Sequence, residues 1–412
     1  MEGLLDTYLL RVMDFMKAIP DQRTGRNTSY PITLIAMIAL SAFYAKSNSL
    51  SRFVNQIGEF RKDRGVELML KAAFSGRKLN RVPTDNHIRS VLDRLDPTLL
   101  DPIIWDVLSG YLCAKGEGFK LNGQTLIVPY ISRHFESAKS RCPKCVSRKY
   151  NLQRLEPFLV EHYHTLMGFS AVHREFPLIH PQLPLEFLQP EDHHGYSKGE
   201  IYLCSKGEKG PPPALPEVLT RYLERFEKSL ASLKPIFILR GSMGTFRSLG
   251  ALGSSHNFVL IPNTETLFSM RAKIPHPYFN PRSGEAESLL DTPKIDIATA
   301  HDHLLASGGP LDVGPDLYAN GLMGFNRQAY LMKVTGGQGG EHLILTSLKL
   351  EESHNAQLYS FIDKLETVDF PEHMQELGFS FNRRFGHGKN FLREVLASMN
   401  ILAMNLSYMA EL

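Results

Sequence analysis

A chain of 412 residues with 43% hydrophobic and 22% charged positions can bury a large core and is long enough for two or three domains. A formal charge of +3 neither excludes nor predicts a nucleic-acid partner, because local basic patches rather than net charge would carry such binding. The early apolar run at 34–44 is too short to span a bilayer, Glu2 and Asp6 are unlike an export signal, and four cysteines do not suggest a disulfide scaffold, so a cytoplasmic protein with no membrane partner is expected.

In residues 4–18, LLDTYLLRVMDFMKA, apolar groups three and four apart predict an amphipathic helix that Pro20 ends. PITLIAMIALSAFYA reads as a buried helix. In SLSRFVNQIGEFR, Leu50, Phe53, Val54 and Ile57 share one helical face. PTDNHIRSVLDRLD, residues 83–96, opens with helix-start chemistry at Pro83, Thr84 and Asp85 and continues with the stripe Ile88, Val91 and Leu92. Residues 1–112 are therefore expected to form an all-helical domain with scattered basic residues.

From about 120 the pattern changes. QTLIVPY, HTLMGFSAV, KPIFIL and NFVLIP are short β-rich runs, and PEVLTRYLERFEKSL after GPPPALP predicts a helix of about four turns. QAYLMKV and HLILTSL flank TGGQGG as strands of a glycine-rich hairpin. Leu392, Val395, Leu396, Met399, Leu402 and Leu406 recur at helical spacing and predict a heavily buried last helix, whose methionines need only a packing role. The class is α/β.

Four patterns could carry chemistry. In CPKC, Cys142 and Cys145 can share one Zn²⁺ if two ligands arrive from elsewhere, and alternation puts His162 and His164 of the following strand on one face. Reduced, unliganded cysteines at a turn are the competing reading; Cys113 and Cys204 are isolated. EDHHGY, residues 191–196, reads as an exposed polar loop rather than a second metal site. Ser132 and Ser242 follow strands but sit in no G-x-S-x-G elbow. In NRRFGHGKNFL, Arg383, Arg384, His387 and Lys389 surround two glycines before the last helix, an arrangement suited to phosphate contact, although GHGK lacks Walker spacing.

Three blocks in order resemble the bacterial insertion-sequence DDE transposases: PTDNHIRSVLDRLDP; ISRHFESAKSRCPKC with VEHYHTLMGFSAVHREFPLIHP; and LETVDFPEHMQELGFSFNRRFGHGKNFLREVLASMNILAMNL. The resemblance implies an all-helical, DNA-binding amino-terminal domain at 1–112 followed by an RNase H-like mixed-sheet domain at 120–412, with an insertion around 262–325. It implies Mg²⁺-dependent chemistry by two Asp and one Glu. LETVDF places the Glu on Glu366. The first Asp is expected near Tyr130, where the chain reads PYIS, and the second near Arg240 or Gly241, where it reads RGSMG. Both are missing, and Asp369, on the same face as Glu366 if the segment is helical, does not replace them.

The expectation is thus a catalytically inactive transposase-like protein with a vestigial Glu366, which binds double-stranded DNA or a protein partner, as a homodimer by family analogy. Two rivals stand beside it. One is an active Mg²⁺-dependent transposase or nuclease using Asp192, Asp291, Asp312 or Asp316; the other is a purely protein-binding scaffold.

Overall fold

The computed structural model describes residues 3–262, apart from 22, 25–27, 75–81, 139–140, 151–159, 198–199, 205–211 and 254, together with 278–279, 286–287, 303–304, 330–335, 341–348, 352–379 and 391–411. The chain opens with helices α1 (Leu4–Ala18), α2 (Ile32–Tyr44), α3 (Leu50–Asn55), α4 (Ile57–Phe60), α5 (Arg64–Ala73), α6 (Asp85–Leu92) and α7 (Asp101–Lys115). Their starts follow local chemistry. The Thr84 hydroxyl accepts from His87 N at 3.3 Å to cap α6, and Asp63 accepts from Val66 N at 3.0 Å to cap α5. The face expected through residues 50–57 is divided between α3 and α4, because Gln56, at φ −116°, leaves the helical region. Leu50 and Phe53 are buried, while Val54 and Ile57 pack partly exposed against the same core. α2 is apolar all round and buried almost throughout, enclosed by α1, α5, α6 and the last helix.

The strands are β1 (Lys120–Leu121), β2 (Gln124–Ser137), β3 (Val146–Tyr150), β4 (Val160–Ala171), β5 (Glu186–Leu188), β6 (Tyr202–Cys204), β7 (Pro235–Leu239), β8 (Asn257–Leu260), β9 (Tyr278–Phe279), β10 (Ala286–Glu287), β11 (His303–Leu304), β12 (Tyr330–Thr335) and β13 (Glu341–Thr346). Helix α8 (Leu215–Leu233) precedes β7, and α9 (Phe246–Leu252) joins β7 to β8. β2 pairs antiparallel with β4 and β4 with β5, while β7 adds parallel to β2 and β8 parallel to β7. The part β5–β4–β2–β7–β8 is an antiparallel meander followed by two parallel additions, as expected of an RNase H-like mixed sheet, and β3 and β6 extend the same sheet from the β4 edge beside β5. β13, β12 and β11 continue it beyond β8, and β12 and β13 pair antiparallel as the hairpin reading expected.

Pro129 sits inside the long central strand without an N–H to donate. The parallel ladder to β7 ends at Ile127, two residues earlier, so where the proline falls β2 is paired on its β4 side and no longer to β7. α8 covers the sheet with Val218, Leu219, Tyr222, Phe226 and Leu230, and its Tyr222 ring stacks on Phe169 of β4 at 3.6 Å. After β13 come α10 (Glu352–Glu366), α11 (Phe370–Glu376) and α12 (Leu392–Ala410). α12 packs on α1, α2, α6 and α7, and its Asn405 exchanges hydrogen bonds with the Gln182 backbone at 2.8 Å. One continuous core therefore includes both the amino-terminal helices and the sheet.

Candidate functional site

Beyond the carboxyl end of β7, residues 240–243 face residues 129–133 of β2 and residues 366–371 across a cleft of ≈ 880 Å³. Crevices at this end of parallel strands are the usual ligand positions of α/β sheets. Glu366 is the last residue of α10 and is exposed. Asp369 does not continue that helix: it caps α11, its carboxylate accepting from Glu372 N at 3.1 Å, with Pro371 starting the new helix. The shared helical face expected for Glu366 and Asp369 is thus replaced by a break between two helices.

Among the described residues, the strands contribute no carboxylate to this cleft. Tyr130 turns into the core, where its hydroxyl donates to Gln182 Oε1 at 2.7 Å and its ring stacks on Phe370. The Ser132 hydroxyl donates to the Arg133 carbonyl at 3.2 Å, and Ser242 is exposed on a short 3₁₀ turn. Arg240 leaves the end of β7 and donates from its two terminal nitrogens to the carbonyls of Leu365 and Val368, with the guanidinium over the Phe370 ring. Burial pushes this guanidinium down from its usual range, while Asp369 and Glu366 oppose that shift. Among the described residues, Glu366 and Asp369 are the carboxylates lining the cleft. Asp192 is held elsewhere by Arg221 at 2.9 Å, and Asp291, Asp312 and Asp316 lie outside the described residues.

A second cluster lies where the CPKC turn meets β4. Cys142 Sγ is 3.5 Å from Cys145 Sγ and 3.1 Å from His164 Nε2, and the three donor atoms lie within 4.8 Å of one another. Two thiolates on one tetrahedral zinc at about 2.3 Å would stand about 3.8 Å apart, so small side-chain movements bring this set to coordination distance. The cluster could hold a metal. The Cys142 thiol's hydrogen bond favours the Cys145 thiolate, and His164 adds to that; the same contact, followed by burial, pushes Cys142 up. Arg393 donates to Cys145 Sγ at 3.2 Å, and Lys144 pairs with Glu394 at 2.8 Å, so the turn is fastened to the start of α12.

His162 is not in this trio; its Nδ1 meets Ser147 Oγ at 2.8 Å. His134, also outside the trio, is the direct cross-strand partner of His164, is 1% exposed, and presents its ring edge-to-face at 5.2 Å between centres. Burial, then His164 and Arg393, holds the His134 imidazole well below its usual range. His134 went unseen in the sequence because only the β2–β4 register reveals it. The EDHHGY stretch is exposed at Glu191, His194 and Gly195, but His193 is buried, with Nδ1 donating to the Gln189 carbonyl and Nε2 accepting from Thr165 Oγ1, both at 3.1 Å. His173 packs edge-on against Phe119, and Cys113 is free and exposed. Arg383, Arg384, His387 and Lys389, and most of the 262–325 stretch, lie outside the described residues.

Neither a protein-family profile nor a curated protein matches the chain. Among solved structures, the piggyBac transposase in a synaptic complex with hairpin DNA is similar over 99% of this chain and 74% of that chain, at 9% identity and a TM-score of 0.42. Among the described residues, no helix is long and apolar enough to cross a membrane.

Proposed function

We propose that this chain is a catalytically inactive, transposase-like protein that binds double-stranded DNA, with zinc as a structural element held by Cys142, Cys145 and His164. The cleft carries the first part of this reading. Two-metal phosphoryl transfer needs carboxylates converging on cations about 3.5–4 Å apart. Here Glu366 and Asp369 come from adjoining ends of two helices, while Tyr130 and Arg240 stand where strand aspartates would be required. Arg240 also brings a fixed positive charge to the place where divalent cations would have to sit. A magnesium pair does not fit these residues, and no catalytic step is derived through one.

The DNA partner is supported by the sequence blocks quoted above and by the cationic run Arg383, Arg384, His387 and Lys389 ahead of α12. Such side chains grip phosphates without reading bases, so binding should fall steeply as salt rises. The zinc is supported by the donor chemistry of two cysteines and one histidine: bound there, it would supply no chemistry but cross-link the turn to β4.

The test is selection of bound sequences from a random duplex pool by the purified full chain at near-physiological salt with Mg²⁺, followed by incubation of the selected duplex. Retention of duplex without strand cleavage is expected, weakened in an Arg383→Ala/Arg384→Ala variant. Cleavage that requires Mg²⁺ and disappears in Glu366→Gln would establish the active-enzyme reading instead. No retention by folded protein would redirect the assignment to protein partners.

A further inference from the structure

The Cys142–Cys145–His164 trio is one ligand short of a closed structural zinc site, which is four-coordinate and tetrahedral. The missing ligand must come from a side chain that shares the buried pocket and can reach the same point. Two imidazoles bound through nitrogen to one tetrahedral zinc at about 2.0–2.1 Å place their ring centres about 5 Å apart. The His134 and His164 ring centres are 5.2 Å apart, with their planes inclined by 77°. This approach is built into the sheet: the two residues are direct antiparallel partners, so their side chains leave the same face. The ladder then bulges between His134 and Ser137, which ends the regular pairing just beyond the histidine pair.

Among the described residues, other neighbours serve less well. His162 lies one strand repeat from His164, but its Nδ1 is engaged with Ser147. Arg393 touches Cys145 Sγ and cannot ligate a cation; its N–H bond to sulfur is an outer-shell contact that offsets thiolate charge. Lys144 is turned to Glu394 and to the Phe391 ring.

The His134 ring nitrogens lie outside the set of donor atoms within 4.8 Å of one another, so ligation requires this ring to turn toward the trio. With that movement the geometry assigns His134 as the fourth ligand, making a Cys₂His₂ zinc centre that joins β2, β4 and the 142–145 turn. The assignment rests on the zinc reading above. In it the ion cross-links the central strand of the sheet to the turn that holds the start of α12, and Cys145 keeps its bond from Arg393 as the outer-shell donor.

The full chain is purified, its metal content measured by mass spectrometry, and the zinc-loaded protein examined by X-ray absorption. One zinc per chain, with two sulfur ligands and the outer-shell scattering of two imidazoles, is expected. A single imidazole would overturn the His134 assignment while leaving the zinc reading intact. Folded protein that holds no zinc, even after refolding with the ion, would overturn both.

Variants give an independent readout after replacement by Co²⁺. His134→Ala should weaken binding beyond the roughly 10–100-fold typical of losing an outer-shell partner, and should change the cobalt visible bands. His134→Cys should restore binding and add thiolate-to-cobalt charge-transfer intensity. His162→Ala should match the parent. A His134→Ala protein with parental affinity and spectrum would exclude His134.

Discussion

Tyr130 of β2 stands directly over Gly168 of β4: the two are cross-strand partners, and a Cβ built on the glycine would lie 2.1 Å from Tyr130 Cζ. The glycine therefore makes room for a large ring at the position where the family resemblance would put an acid. Gly168→Ala should destabilise the chain by about 1–3 kcal/mol or more through overpacking. In a Tyr130→Leu background the same change should cost markedly less. Urea unfolding of the two single variants and the double variant measures this; strictly additive losses would mean that the ring and the glycine are not coupled.

Arg240 fastens the α10–α11 junction to the end of β7 through the Leu365 and Val368 carbonyls. Removing it in Arg240→Ala should lower stability by about 2–3 kcal/mol, since charge-assisted bonds are lost and the partly buried carbonyls lose their donor. Arg240→Asp should be worse, because it sets a carboxylate beside those carbonyls and near Glu366 and Asp369. It should not create Mg²⁺-dependent nicking of duplex DNA. A nicking activity in Arg240→Asp would show that the cleft keeps a latent metal site.

Glu366 is exposed at the end of α10, and glutamine keeps its shape and its capacity to accept a hydrogen bond while removing the charge felt by Arg240. Glu366→Gln is expected to leave the unfolding midpoint within about 0.5 kcal/mol of the parent and duplex retention unchanged. A large loss of duplex affinity would assign this carboxylate a binding role that the inactive reading does not give it.

His180 should make stability depend on pH. Gln182 Nε2 donates to its Nδ1 at 2.9 Å, the ring is buried, and burial followed by nearby His373 lowers its pKa to about 3. The folded state therefore takes up this proton less readily than the unfolded chain, whose value is about 6.5. The stability is present above the unfolded value and is lost as pH falls from about 6.5 toward about 3, by about 2 kcal/mol on reaching about pH 5. His180→Asn can still accept from Gln182 but cannot titrate. Denaturation at about pH 7 and about pH 5 should show a slope shallower than the parent's by that amount; an unchanged slope would assign the acid sensitivity to other histidines.

Local signals made much of this legible. Thr84 caps its helix, KPIFIL and NFVLIP are parallel strands, and the apolar stripe from Leu392 to Leu406 lies in α12, which is buried on every side over that span. The cysteine spacing found two members of the cluster, and the adjoining histidines a third. What escaped depends on partners distant in sequence. Periodicity cannot tell that Asp369 caps a new helix after Glu366. Charge cannot tell that His193 is buried between Gln189 and Thr165, and neither pattern pairs His134 with His164 before the β2–β4 register is fixed.

Because α12 covers one flank of α2, the amino-terminal helices are not a self-sufficient fragment. A polypeptide ending near residue 112 would turn that flank to water and self-associate through it. Supplied in trans, a peptide spanning α12 should act as a complementing half, restoring a sharp unfolding transition much as two pieces of a split protein reassemble. The nascent helical layer likewise lacks its α12 neighbour until a segment made much later has emerged, so its closure comes late in synthesis.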